Sequence, residues 1–363
     1  MDIFLILRTS VTGMFPTFTL VLTGVYFGYK NIMPKRTVDE LSKVLGNFFN
    51  PIFCFIYISS SFELSELYLV WPLIVGPFLT AFVFSTISFL YLKVIGMPKE
   101  MQNTFLGFLV FSNFGQAYIL IKGMCSSYGP LANNSSCDDS FSYISIFAFP
   151  QMILMWTYGY SLSLSDKHKR PQVFDESMKE IMCENTEEQR LSLGKIILQA
   201  LVKPNPLSCI LGMITAMIPG LKNVFYNKSS IIYFIADTGI FMSFNSLVLG
   251  QVTLGVYLYN MKGQRSDLTR KTLTLVVLFK SIVIPIVSLG IMYGFWVAGI
   301  FHDNKVMAYA FFLSISTPAA IATLLFAVIV QNRINEIVEC IFWNYLVNIG
   351  TAVLWTFLFF YIF

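Results

Sequence analysis

Between Ala308 and Phe326 the chain reads AYAFFLSISTPAAIATLLF, an apolar run with Ser314, Ser316, Thr317 and Pro318 at its centre. About 20 residues at ~1.5 Å rise cross the hydrocarbon of a bilayer, so the run has the length of a span. Pro318 has no N–H and its ring collides with the preceding turn, which leaves the carbonyl near Ser314 without its helical partner. Lipid cannot satisfy that carbonyl, so such a break survives only where protein or a watery cavity covers it. Taken alone, the stretch reads equally as a packed proline kink or as the interrupted span of a transporter binding site. A second stretch tips the balance. Thr104–Ile121, TFLGFLVFSNFGQAYILI, carries the polar break Ser112-Asn113-Phe114-Gly115-Gln116 at mid-span. Gly115 stands in for the proline as the flexible point, and Asn113 and Gln116 stand in for the hydroxyls. Two interrupted spans at corresponding places of two halves point to an inverted-repeat transporter with its substrate near the midplane. Tyr118, just beyond the first break, is the aromatic expected against an apolar ring.

Ionisable residues within apolar runs are the next clue, because each costs about 2.5–3.5 kcal/mol at the centre of a span and faces an interior cavity. Asp237, Lys280, Lys203 and Glu339 qualify. Arg8 and Lys203 are close enough to a boundary to snorkel. Lys280 has two readings: it makes a cavity electropositive and suited to an organic anion, or it pairs with Asp237 to hold two helices in register. On the first reading Lys280→Ala loses anion transport and stays folded. Asp237 is the candidate for proton coupling. No phosphate loop, HExxH or GxSxG occurs, and both histidines, His168 and His302, fall outside the apolar runs. Neither an enzyme nor a cofactor or metal is expected, and without a nucleotide site transport would be secondary or facilitated. Cys125 and Cys137 flank one short loop and either pair or stay free; Cys54, Cys209 and Cys340 read as small core residues.

These residues sit in a chain of 363 residues that is 56% apolar and 12% charged, against roughly 25% charged in soluble domains. It reads as an all-α integral membrane protein, and its small net charge of +4 speaks to orientation rather than to nucleic acid. Ten spans are expected, at 3–28, 38–60, 68–95, 102–124, 139–164, 191–219, 229–260, 268–300, 305–330 and 336–363. The polar stretch 165–190 divides them into two five-span halves, 1–164 and 191–363, and reads as a cytosolic linker. Lys and Arg concentrate on that side, as Lys30, Lys35, Arg36 and Lys43, Lys93 and Lys99, then Lys262, Arg265, Arg270, Lys271 and Arg333. Both termini are then non-cytosolic. The glycosylation triplets at Asn133, Asn134 and Asn227 fall on the same outer side. An odd number of spans per half inverts one half against the other, which makes the interrupted fourth and ninth spans equivalent. Gly24-x-x-x-Gly28 reads as a close-packing helix face, and Asn50-Pro51 and Pro204-Asn205-Pro206 as packing kinks.

Together these pieces resemble the auxin efflux carrier family, which includes the PIN and PIN-LIKES proteins. Ser112-Asn113-Phe114-Gly115-Gln116 is similar to the family's Gly-Asn-x-Gly-Asn signature, with Ser112 and Gln116 as departures and no proline in the fourth span. Trp156-Thr157-Tyr158, Asn205-Pro206, Lys280–Pro285 and Thr317-Pro318-Ala319 are similar to further family elements, and the short central loop is closer to the PIN-LIKES branch. The resemblance implies two inverted five-helix repeats whose broken fourth and ninth helices cross at the substrate site. It also implies a homodimer formed by a scaffold bundle, an elevator-type motion, and transport of indole-3-acetate or related anions. The resulting expectation is a carrier in the plasma membrane or endoplasmic reticulum, with substrate between Asn113–Gln116 and Ser316–Pro318. A sodium-coupled carrier of the bile-acid type and a non-transporting membrane receptor or regulator are the alternatives.

Overall fold

The computed structural model describes residues 3–61, 67–127, 140–169, 201–260, 266–302 and 304–363. The fold is all-helical. Its elements are α1 (Ile3–Tyr29), α2 (Lys35–Val44), α3 (Asn50–Ser61), α4 (Leu67–Val94), α5 (Gln102–Val110) and α6 (Phe114–Ser127), then α7 (Ser140–Leu154) and α8 (Tyr160–Lys169). The second part holds α9 (Pro204–Met217), α10 (Pro219–Tyr226), α11 (Tyr233–Asn260), α12 (Arg270–Leu278), α13 (Ile284–Val297), α14 (Lys305–Ser316), α15 (Ala322–Val330) and α16 (Ile334–Ile362). A helix falls in every one of the ten intervals expected from sequence. Among the described residues, five helices are by themselves long and apolar enough to cross a membrane: Lys35–Ser60, Tyr68–Val94, Tyr233–Asn260, Arg270–Val297 and Ile334–Ile362.

Three of the helical runs contain a single π-helical turn, at Leu45–Phe49, Met155–Gly159 and Phe279–Val283. A π turn adds one residue to the helix and releases backbone groups, and such turns gather at functional sites. Two of them have a side-chain answer from another helix. The Asn205 amide donates to the Gly46 carbonyl at 2.6 Å, and the Trp355 indole donates to the Ser281 carbonyl at 2.9 Å. Asn205, read from sequence as part of a kink, therefore serves the turn of another helix. The sixth expected interval, 191–219, ends at a sharp bend: α9 and α10 meet at 103°. Ile218, extended at φ −104° and ψ 101°, precedes Pro219, whose ring disfavours the helical conformation in the residue before it.

The Gly24-x-x-x-Gly28 face does what its spacing suggests. It packs on α11, where a Cβ added to Gly24 would lie 2.1 Å from the Val252 carbonyl oxygen and one on Gly28 2.8 Å from Tyr259 Cβ. At the other extreme, the broken helices are enclosed: α5 is buried from Thr104 to Val110 and α14 from Val306 to Ser316. Phe105, Phe108, Phe311, Phe312 and Tyr309 are buried completely. Protein, not lipid, surrounds both interruptions.

Candidate functional site: the crossing of the broken helices

The interruption of the fourth interval spans Phe111–Asn113 and that of the ninth spans Thr317–Ile321. The two lie against each other as a one-rung antiparallel β-bridge, Ser112 opposite Ala319. Asn113 N–H donates to the Pro318 carbonyl at 2.7 Å, and Ala320 N–H donates to the Phe111 carbonyl at 3.1 Å. Backbone groups that lose their helical partners at one break are thus satisfied by the other break, as a buried backbone requires. Side chains reinforce the rung. Ser112 Oγ donates to the Ile315 carbonyl at 2.8 Å, and Thr317 Oγ1 donates to the Asn113 carbonyl at 3.0 Å.

Three further helices hold the crossing in place. From α16, Asn344 Oδ1 accepts the Ala319 N–H at 2.7 Å while its amide donates to Ser281 Oγ at 2.9 Å. From α7, the Gln151 amide donates to the Ser112 carbonyl at 3.1 Å. From the π turn after α12, Lys280 Nζ donates to the carbonyls of Leu109 and Phe111 at 2.9 and 3.3 Å and to Ser112 Oγ at 3.0 Å. An ammonium has three N–H donors, and all three are used. Lys280 is 1% exposed and sits at the C-terminal end of α5, where the carbonyl-rich helix end favours a cation. It supports the break from behind. It neither lines the cleft described below nor pairs with Asp237, which is the fifth residue of α11 and exposed.

A cleft opens on one side of the crossing. One wall is Leu45, Asn50 and Phe53 with Ser246 and Gly250 of α11; the other is Asn113, Phe114, Met152, Trp156 and Ala320–Ala322. The first turns of α6 and α15 both border it. Among the described residues no charged side chain lines it, and its polar side chains are Asn50, Asn113, Trp156 and Ser246. Ser246 Oγ donates to Asn50 Oδ1 at 2.5 Å. Asn113 is already engaged at both ends: its Oδ1 accepts the Gly115 N–H at 3.0 Å and its amide donates to the Tyr345 hydroxyl. Asn113 therefore shapes the start of α6 as well as facing the cleft.

The other residues singled out from sequence spread around the crossing. Gly115 and Gln116 lie in the first turn of α6, inside the helix rather than in the break. Tyr118 is buried away from the cleft, its hydroxyl 2.5 Å from Ser145 Oγ and its ring 5.1 Å from that of Tyr57. Ser316 and Thr317 border a small void on the opposite side, with Asn348, Trp355 and Thr356. Pro318 follows the C-cap Thr317, so the missing N–H falls where α14 has already ended. Lys203 lies over the Tyr160 ring, 3.0 Å from its centroid. Asn227 is exposed after α10 and turns back onto the Ser229 N–H, while Asn133 and Asn134 lie outside the described residues. Cys125 is disulfide-bonded, and Cys137 lies outside the described residues, as does 170–200, most of the expected linker. Sequence reading missed Asn344 and Gln151, which carry one signal, a polar side chain inside an apolar run. It named Trp156 only within the Trp156-Thr157-Tyr158 resemblance and not as a residue of the cleft.

No curated protein matches the chain by sequence. A family model described as membrane transport protein matches residues 9–356, almost the whole length. Enclosed helix breaks that satisfy one another beside a cleft are the architecture expected of such a protein. The chain is an integral membrane protein and belongs to the membrane transport protein family that contains the auxin efflux carriers and their PIN-like relatives.

Proposed function

We propose that the chain is a secondary or facilitative carrier of small organic anions, auxin-like carboxylates among them, that binds them in the cleft beside the crossing. The observation that carries this reading is the chemistry of the lining. It has no carboxylate to repel an anion, and the starts of two half-helices, α6 and α15, border it. The positive dipole end at each helix start favours a negative group. A carboxylate placed there is stabilised without a counter-charge that would hold it too tightly to release.

The cleft volume is about 80 Å³, against the ~150 Å³ that accommodates a benzene. A ring-bearing anion enters once the two walls separate. The walls belong to different helices, α2, α3 and α11 against the crossing with α7 and α15, so elevator-type sliding of the second group past the first widens the cleft and changes the side it serves. On this reading the ten helical intervals are ten spans. Residues 1–164 and 191–363 form inverted five-span repeats joined by 165–190, and both termini are non-cytosolic in the plasma membrane or endoplasmic reticulum. Two copies associate through the α1, α3, α9 and α11 side. Membrane potential supplies about 2.3 kcal/mol per charge at 100 mV.

The test is uptake of labelled indole-3-acetate and benzoate into proteoliposomes, with and without an imposed inside-positive potential. Potential-accelerated uptake is expected in wild type and at least a tenfold loss in Pro318→Ala, whose new N–H and freed φ disturb the rung. Folded wild-type protein that moves neither anion, or moves them at a rate blind to potential and equal in empty vesicles, defeats the reading.

A further inference from the structure

One group in the cleft is unaccounted for. Trp156 is 3% exposed and lines the cleft, yet its indole Nε1–H is buried without an acceptor among the described residues. A buried tryptophan N–H normally finds a partner, and unsatisfied buried donors are rare in native proteins. The ring is not loosely held. It packs edge-on against Phe326 of α15, with centroids 4.9 Å apart at 83°, and it rides on the π turn Met155–Gly159. On its other flank, Gly46 leaves it room: a Cβ there would lie 3.8 Å from Trp156 Cη2. Trp156 therefore packs on α15 and faces the π turn after α2 across the space left by Gly46.

The remaining side chains of the cleft do not serve this N–H. Asn113 is committed to Gly115 and Tyr345, and the Ser246 hydroxyl to Asn50. We propose that Trp156 is a substrate-recognising residue whose indole N–H is reserved for an acceptor oxygen of the transported anion. This assignment rests on the anion-carrier reading and deepens it by naming what the ligand must present. The ligand carries an acceptor oxygen within reach of the indole edge, and a carboxylate, with two oxygens and about four lone-pair sites, has a second oxygen left for the helix starts of α6 and α15. An alcohol or amine of the same shape binds more weakly because it gives up the second contact or brings a donor to meet a donor. Leu45 and Trp156 both line the cleft, so a ligand held by Trp156 lies at the seam that must open.

Trp156→Phe removes the N–H and keeps the ring stack. Thermal unfolding of the full-length protein in detergent, with and without indole-3-acetate, gives both readouts. The ligand-free melting temperature is expected to fall by a few degrees only, from the packing lost with the smaller ring, since nothing is bonded to the lost N–H. Affinity for indole-3-acetate is expected to fall about tenfold or more, the worth of one buried hydrogen bond to a charged acceptor. An independent measurement uses ¹⁵N-indole spectra of the wild-type chain: the resonance absent from Trp156→Phe shifts downfield on adding indole-3-acetate. A variant that binds indole-3-acetate as wild type does, or a Trp156 indole resonance that does not move on adding it, overturns the role of Trp156 and leaves the carrier reading intact. Folded wild type that binds neither indole-3-acetate nor benzoate overturns both.

Discussion

Lys280→Ala is expected to loosen the crossing itself, with transport lost because the site is no longer built. The substitution strands the Leu109 carbonyl, takes one of two donors from the Phe111 carbonyl, which keeps the Ala320 N–H, and removes the donor to Ser112 Oγ. Each buried acceptor left unsatisfied costs about 1–3 kcal/mol, and more where the lost partner was charged. One stranded carbonyl and two weakened acceptors put the penalty at roughly 2–4 kcal/mol, a large part of the net stability of a domain. No neighbouring side chain is placed to take over, since Gln151 and Asn344 already serve other atoms of the same break. Lys280→Met, which keeps the stem and loses only the N–H groups, should behave nearly as badly, because packing is not what the residue supplies. The measurement is thermal unfolding of the purified variants followed by fluorescence-detected gel filtration. Variants that melt like wild type but bind no anion would restore the simpler role, a cavity charge, that the sequence alone suggests.

Gly255→Val should be the most damaging single change outside the crossing. A Cβ on Gly255 would sit 2.0 Å from the Val21 carbonyl oxygen and 2.9 Å from Gly24 Cα. Backbone meets backbone there, so no flexible side chain is available to give way. Overpacking a tight site costs about 1–3 kcal/mol when the structure relaxes around it, and here relaxation means moving α1 off α11 along their length. Alanine at Gly24 or Gly255 is expected to lower the melting temperature, and valine to prevent assembly of the pair. The double Gly24→Ala, Gly255→Ala variant should lose less than the sum of the singles, since one displacement relieves both clashes. Gly290→Ala in α13 is the control: its added Cβ meets nothing within 4 Å, and the variant should be as stable as wild type or slightly more so. If Gly255→Ala melts as high as Gly290→Ala, the close approach of α1 and α11 is not as tight as these distances state.

Much of this architecture is legible in the residues. Pro318 and Gly115 stand out because a breaker amid hydroxyls or amides has no business in an apolar run unless something covers it. The Gly24-x-x-x-Gly28 spacing is equally plain, since small residues four apart share one helix face. What the chain does not display is which partner meets each freed group. Lys280 reads as a charge in search of an anion or of Asp237 because a linear sequence marks charges and leaves carbonyl oxygens invisible. Its true acceptors lie about 170 residues away in α5 and the break that follows it. Asp237 reads as buried because its surroundings are apolar, yet it falls in the opening turns of α11, on an exposed face. Asn113 and Tyr118 read as ligand contacts, while in the fold Asn113 spends its amide on α6 and Tyr345, and Tyr118 spends its hydroxyl on Ser145. The π turns leave no mark either, although they set Trp156 and Lys280 where they are, because one extra residue per turn is decided by tertiary contacts rather than by local preference.

The central rung joins peptide groups: the N–H groups of Asn113 and Ala320 and the carbonyls of Pro318 and Phe111. Every amino acid carries a carbonyl and every one but proline an N–H, so this part of the hold asks little of the side chains that decorate it. Side chains that face the cleft and bond none of these groups can change in kind while the backbone grip persists. Such a centre separates the parts that hold the two breaks together from the parts that meet what enters beside them.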